Sequence, residues 1–135
     1  NAVQVLKSKE GHPGHIAENA LYAVYPDKDG IVWLGTYKKG ISYYDPNSLQ
    51  FPLVRHQPAD KNSLPFEDIN TFVEDKKGNL WIGSNGGGLI YYDRQQNSFR
   101  QFRHQPENSN SLTNDVIVAL YLDHQDKLWI GTYQG

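Results

Sequence analysis

Apolar residues along this chain come in short runs, each closed by a polar turn rich in Gly, Asp, Asn or Pro. No long segment places apolar residues at i, i+3, i+4 and i+7, so the pattern predicts strands and not amphipathic helices. The middle of the chain is the clearest. A first strand is expected over Ile69 to Glu74, closed by the turn Asp75-Lys76-Lys77-Gly78, where Gly supplies positive φ. A second is expected over Leu80 to Ser84, followed by the Gly-rich link Asn85-Gly86-Gly87-Gly88. A third runs from Leu89 to Asp93 and a fourth from Phe99 to His104. A longer polar link, Gln105 to Asn114, leads to the next apolar run.

The same order of runs recurs. Trp33, Trp81 and Trp129 are evenly spaced (81−33 and 129−81 both give 48), and no gap is needed to align what surrounds them. Gly35, Gly83 and Gly131 keep the period, as do Asp27, Asp75 and Asp123. Tyr43-Tyr44-Asp45 returns as Tyr91-Tyr92-Asp93, and Arg55-His56-Gln57-Pro58 as Arg103-His104-Gln105-Pro106. In the third copy Asp126 stands where the turn Gly would be, and Asp is among the residues that tolerate positive φ. Four short strands in a repeat of this length match the period of a β-propeller blade. A β-solenoid is the rival, but its coils are usually shorter and do not form four-stranded meanders.

The expected fold is therefore all-β: a β-propeller fragment of about 2.8 four-stranded antiparallel blades, from 135 residues over a 48-residue repeat. A closed propeller takes about four to eight blades. Residues 1–2, Asn1-Ala2, read as the remnant of a cloned tag, and the chain has no Met, so an excised piece of something longer is expected. Residues 3–135 are then one propeller segment. Within it, 3–17 would hold the last strand of a preceding blade (Val3 to Ser8) plus a link, 18–62 and 63–110 two blades, and 111–135 a partial blade.

Composition narrows the chemistry. There is no Cys, which removes disulfides, thiolate zinc sites and cysteine nucleophiles. Lys plus Arg is 13 against 15 Asp plus Glu, so no basic field exists to follow a phosphate backbone, and no nucleic-acid partner is expected. The longest apolar run, Val116 to Leu122, is far short of the ~20 residues that span a bilayer, so no direct membrane contact is expected.

The motif Asp-x-x-Gly-x-Leu-Trp-Ile-Gly-Thr followed by Gly-Gly-Leu resembles the two-component regulator propeller repeat. It stands here as Leu80-Trp81-Ile82-Gly83-Ser84 with Gly87-Gly88-Leu89, and as Leu128-Trp129-Ile130-Gly131-Thr132. The first copy departs slightly, with Val32-Trp33-Leu34-Gly35-Thr36 and Lys39-Gly40-Ile41. The resemblance implies the periplasmic sensor region of a hybrid two-component sensor histidine kinase, anchored in the membrane elsewhere in its chain. It also implies an oligosaccharide ligand and signalling through a kinase outside these residues. Related repeats also occur in propeller lyases, and a protein-interaction propeller without a small ligand is a further alternative.

No catalytic residue, metal site or cofactor is expected. The period of Trp33, Trp81 and Trp129 points to packing between blades more than to sugar stacking, and a buried indole N–H would want an acceptor. Asp27-Lys28-Asp29-Gly30 hints at a calcium loop, but the sister turns carry Lys77 and Gln125 in place of Asp29. His12 and His15 form one weak pair without Cys. Ser84 aligns with Thr36 and Thr132, which reads as a repeated backbone partner and not as a nucleophile.

Positions shared by the repeats are explained by packing, so ligand contacts are expected where the repeats disagree. On a propeller the links after the second strand and before the first strand share one face. Candidate ligand-binding residues there are Tyr37, Lys38, Asn85, Tyr133 and Gln134, with Asn19, Glu67 and Asp115. Trp33, Trp81, Trp129, Gly35, Gly83, Gly131, Asp27, Asp75 and Asp123 form the structural repeat. Remaining blades of a parent chain are the expected partners, and the isolated segment is expected to self-associate through open blade faces and sheet edges.

Overall fold

The computed structural model describes residues 5, 7–9, 15–48 and 52–135. His12, the tag residues Asn1 and Ala2, and Val3 of the expected leading strand lie outside the described residues. Val5 and residues 7–9 carry no strand.

Among the described residues, ten strands form two four-stranded antiparallel meanders and one two-stranded hairpin, and no helix occurs. The first unit is β1 (Leu21–Pro26), β2 (Val32–Thr36), β3 (Ile41–Tyr44) and the short β4 (Leu53–Val54). The second is β5 (Ile69–Glu74), β6 (Leu80–Ser84), β7 (Leu89–Asp93) and β8 (Ser98–Phe102). The third has β9 (Ile117–Leu122) paired with β10 (Leu128–Thr132).

Register repeats with the sequence. Trp33 pairs with Tyr25 and Tyr43, Trp81 with Val73 and Tyr91, and Trp129 with Tyr121. A bulge near the start of each first strand, at Tyr22, Asn70 and Val118, shifts the ladder by one residue. Bulges re-aim side chains; the Asn70 amide thereby reaches the Ile117 carbonyl of the next unit at 2.9 Å.

The first strands lie side by side, β5 between β1 and β9, and the main core fills the seam between units one and two. Trp33 and Ile41 from the first unit meet Leu64, Ile69, Phe72, Leu80, Ile82 and Ile90 from the second. The repeated glycines permit this approach. A Cβ on Gly35 would lie 2.9 Å from Ile69 of the next unit, and one on Gly83 would lie 2.7 Å from Ile117. Side-by-side four-stranded meanders that pack face to face around their first strands are propeller blades: the fold is all-β, as the repeat predicts.

Each turn aspartate does the same work. Oδ1 of Asp27 accepts the amides of Asp29 and Ile31, and Asp75 and Asp123 repeat the pair with Lys77 and Asn79, and with Gln125 and Lys127. Oδ2 accepts the indole N–H of Trp33 in the first unit and of Trp129 in the third, both at 2.9 Å. In the second unit it takes the Tyr91 hydroxyl, and Trp81 packs on Tyr91 and Phe102.

The fourth strand ends at Phe102, short of the expected His104. Arg103 and His104 are drawn off the ladder by Asp115, which accepts from the Arg103 guanidinium at 2.7 Å and the His104 amide at 2.7 Å.

Candidate functional site

The site-bearing face is built by the links that precede each first strand and follow each second strand. The hydroxyls there are fasteners: Thr36 Oγ1 donates to Gly40 O and Ser84 Oγ to Gly88 O, each at 2.7 Å, closing the tight link after the second strand. Thr132 Oγ1 lies 2.9 Å from Thr113 Oγ1.

Several of the candidate ligand residues are occupied in holding links together. Glu67 accepts the His56 amide as Asp115 accepts that of His104, one repeat further along. The histidines complete the loop: His56 Nδ1 lies 3.0 Å from Leu64 O, and His104 Nδ1 lies 2.6 Å from Leu112 O. Asn19 accepts the Ser8 amide at 2.7 Å. Tyr133 is exposed, with its amide bonded to Val116 O, and Gln134 has φ 64°. Both belong to the third unit.

Of the remaining candidates, Lys38 lines the seam of units one and two, with Tyr37 beside it. Tyr37 packs 5.4 Å from the bulged Tyr22, and the Lys38 ammonium lies over the Tyr37 ring at 4.5 Å. The Lys38 amide donates to Glu18. Within the second unit the Asn85 amide N–H bonds Asp68 O, and its side chain donates to Asp68 Oδ2 at 3.1 Å. Lys38, His56, Pro65, Phe66, Glu67 and Asp68 line a groove of about 410 Å³.

Asp68, Phe66 and His56 were not among the candidate ligand-binding residues. A signal existed for Asp68: the sister positions are Ala20 and Val116, so this carboxyl breaks the repeat. Asp68 is buried, and its Oδ1 has no hydrogen-bond partner. Burial pushes its carboxyl above the usual carboxylate range and Glu18 adds to this, while the Asn85 amide and the Lys38 charge oppose the shift.

A second cluster lies on the same seam, among the turn residues. Arg94, whose sister position is Pro46, places Nη1 2.9 Å from Asp27 Oδ2 and 3.1 Å from Gly78 O. Asp29 and Glu74 stand 3.8 and 3.7 Å away, and the guanidinium lies 5.3 Å from the Trp33 ring. The Asp27, Asp29 and Glu74 carboxylates could otherwise gather a cation; here the guanidinium sits among them.

The geometry defines a class: a β-propeller whose linking loops form a recessed, polar-rimmed groove at a blade seam. The chain belongs to the two-component regulator propeller family, whose repeat matches three equal stretches, 15–38, 63–86 and 111–134, together just over half of the sequence. No curated protein matches the chain. Among solved structures, it is similar to the extracellular domain of the hybrid two-component system BT3049 from B. thetaiotaomicron. That match has a TM-score of 0.74 and 24% identity, and covers 87% of this chain and 16% of the other. It is also similar to PorZ, a surface component of the type-IX secretion system of Porphyromonas gingivalis, with a TM-score of 0.68 and 25% identity, over 94% of this chain and 18% of the other. Virginiamycin B lyase from Staphylococcus aureus matches with a TM-score of 0.56 and 14% identity, over 82% of this chain and 34% of the other. The chain thus spans less than a fifth of the length of the first two. At such identities the first and third likenesses speak for the fold alone.

Proposed function

We propose that this chain is part of the periplasmic, ligand-sensing propeller of a two-component sensor, that it detects oligosaccharides, and that occupancy is passed to a histidine kinase outside it. The observation that supports this reading best is the threefold match to the regulator-propeller repeat. In this reading residues 18–62, 63–110 and 111–135 are successive blades, and further blades of the parent chain complete the ring. The segment performs no chemistry. A ligand signals only if it binds two conformations with different affinity, and a groove at a blade seam supports that, because seam movement changes its walls.

The test is to replace Tyr37 and Tyr133 by Ala in the full-length sensor and measure oligosaccharide affinity by calorimetry. Loss of an aromatic stack with its neighbours is expected to cost about 1–3 kcal/mol, by analogy with truncations at protein interfaces. Unchanged affinity in a stably folded double variant would move the ligand elsewhere on the parent.

A second reading, a protein-interaction propeller without small ligand, draws support from exposed apolar side chains: Tyr22, Val24 and Tyr44 on the first unit, and Val118, Tyr121, Trp129 and Ile130 on the third. The same surfaces support self-association of the isolated chain. A propeller lyase or hydrolase is a weaker alternative, since it needs a converging set of acid and base groups at the ring's mouth.

A further inference from the structure

The Asp68 carboxyl is hard to explain by folding alone. Its sister units place Ala20 and Val116 at the same point, so packing there requires no acid. Burial disfavours an unpaired polar atom, yet Oδ1 is shielded from solvent and has no partner, while Oδ2 is held by Asn85. An acceptor fixed on one side and unused on the other is what a binding group needs before its ligand arrives.

The groove beside it defines what that ligand must carry. His56 Nδ1 faces the Leu64 carbonyl, which can only accept, so Nδ1 carries a proton, and a neutral ring then offers Nε2 as an acceptor. Glu67 is engaged by the His56 amide. Lys38 is a donor at the rim, held over the Tyr37 ring. Phe66 and Pro65 supply apolar wall, and a Cβ on Gly87 would collide with the Phe66 ring, so the link backbone packs directly against Phe66 and fixes its place. Acceptors, one donor and an apolar wall in one groove select a group that both donates and accepts. An ammonium cannot accept from Lys38 and is repelled by it. A carboxylate or sulfate is repelled by Asp68 and Glu67. Adjacent hydroxyls on a ring with an apolar C–H face meet every requirement.

We propose that the groove between the first two units is a subsite for a vicinal diol of an uncharged pyranose, with Asp68 Oδ1 and His56 Nε2 as acceptors, Lys38 as donor and Phe66 as the wall against which the ring lies. This rests on the oligosaccharide reading above and names the contact that reading lacks. Because Oδ1 is shielded, a ligand reaches it only after a side chain at the rim rotates, and Lys38 and His56 are the exposed lining residues.

The test is an NMR titration of the 135-residue chain with maltotriose, cellotriose, laminaritriose and mannotriose, with trigalacturonate and spermidine as charged arms. One neutral trisaccharide is expected to shift the Asn85 side-chain amide and the Gly86 and Gly87 backbone amides, and to move the Asp68 carboxyl titration down, since a donor on Oδ1 favours the charged form. Asp68→Asn keeps the shape, Asp68→Val copies the third unit, and Lys38→Met alters an exposed side chain. Either Asp68 change is expected to weaken binding by about 10- to 100-fold, the range for a hydrogen bond to a charged group. If a neutral trisaccharide binds equally well to all three variants, the subsite is wrong and the oligosaccharide reading survives. If no trisaccharide binds the unaltered chain while one binds the full-length sensor, the subsite falls and the oligosaccharide reading survives; if none binds either, both fall. Preferential binding of trigalacturonate or spermidine would overturn the diol assignment.

Discussion

Replacing Arg94 by Met tests how the first two blades are held together. The guanidinium bonds Asp27 of the first unit and Gly78 O of the second, and lies over Trp33. The Asp27 side chain is fully shielded, whereas that of Arg94 is 20% exposed. Removing one partner of a buried pair typically costs about 3–5 kcal/mol. Two features lower that figure here. Asp27 keeps three other donors, the amides of Asp29 and Ile31 and the Trp33 indole, and the exposed part of Arg94 is screened by solvent. A loss of about 2 kcal/mol is expected, or about 6 °C in melting temperature for a chain of this length. Urea unfolding followed by tryptophan fluorescence reads it, with a cycle of Arg94→Met, Asp27→Asn and the double variant to isolate the pair. A single-variant loss below about 0.5 kcal/mol, the ordinary range for a surface change, or a coupling near zero, would show that the pair does not stabilise the seam.

Trp33→Ala is expected to destabilise by about 3–5 kcal/mol, the range for buried aromatic truncation, whereas Trp129→Ala, with Trp129 53% exposed, should lose less than half as much; equal losses would refute a seam role for Trp33. Gly88→Ala, at φ 77° with its Cβ directed at the Phe102 carbonyl, is expected to cost at least about 1 kcal/mol, read in the same urea melts. Asp68→Asn should change the pH profile. The folded carboxyl titrates above its unfolded value, so the native state binds more protons and stability falls as pH rises through that window. The variant should therefore be more stable than the unaltered chain at neutral pH, with the gap closing in acid; thermal melts in acid and at neutral pH decide it.

The second unit was the most legible part of the sequence. Ile69–Glu74, Leu80–Ser84 and Leu89–Asp93 lie where alternating runs and Gly turns put them, because those signals are local. The end of the fourth strand was not legible, since it depends on Asp115 reaching back across a loop to Arg103 and His104. The candidate face was legible only in part. Lys38 lines the seam and Asn85 holds Asp68, but the shared duty of Glu67 and Asp115 as latches shows only once the chain is folded. Asp68 was visible as a departure from Ala20 and Val116, yet nothing local distinguishes a buried carboxyl from an exposed one. Nothing local marked Arg94, because Asp27 and Asp29 lie on another blade.

Arg94 also has a bearing on how such a chain assembles. Units of nearly identical sequence can dock in the wrong order during folding, a known hazard of repeat proteins. A cation that meets Asp27, Asp29 and Glu74 at one junction, where the sister position carries Pro46, makes that junction unlike its neighbours. A single out-of-pattern residue can thus act as an address label, telling a growing ring which blade comes next.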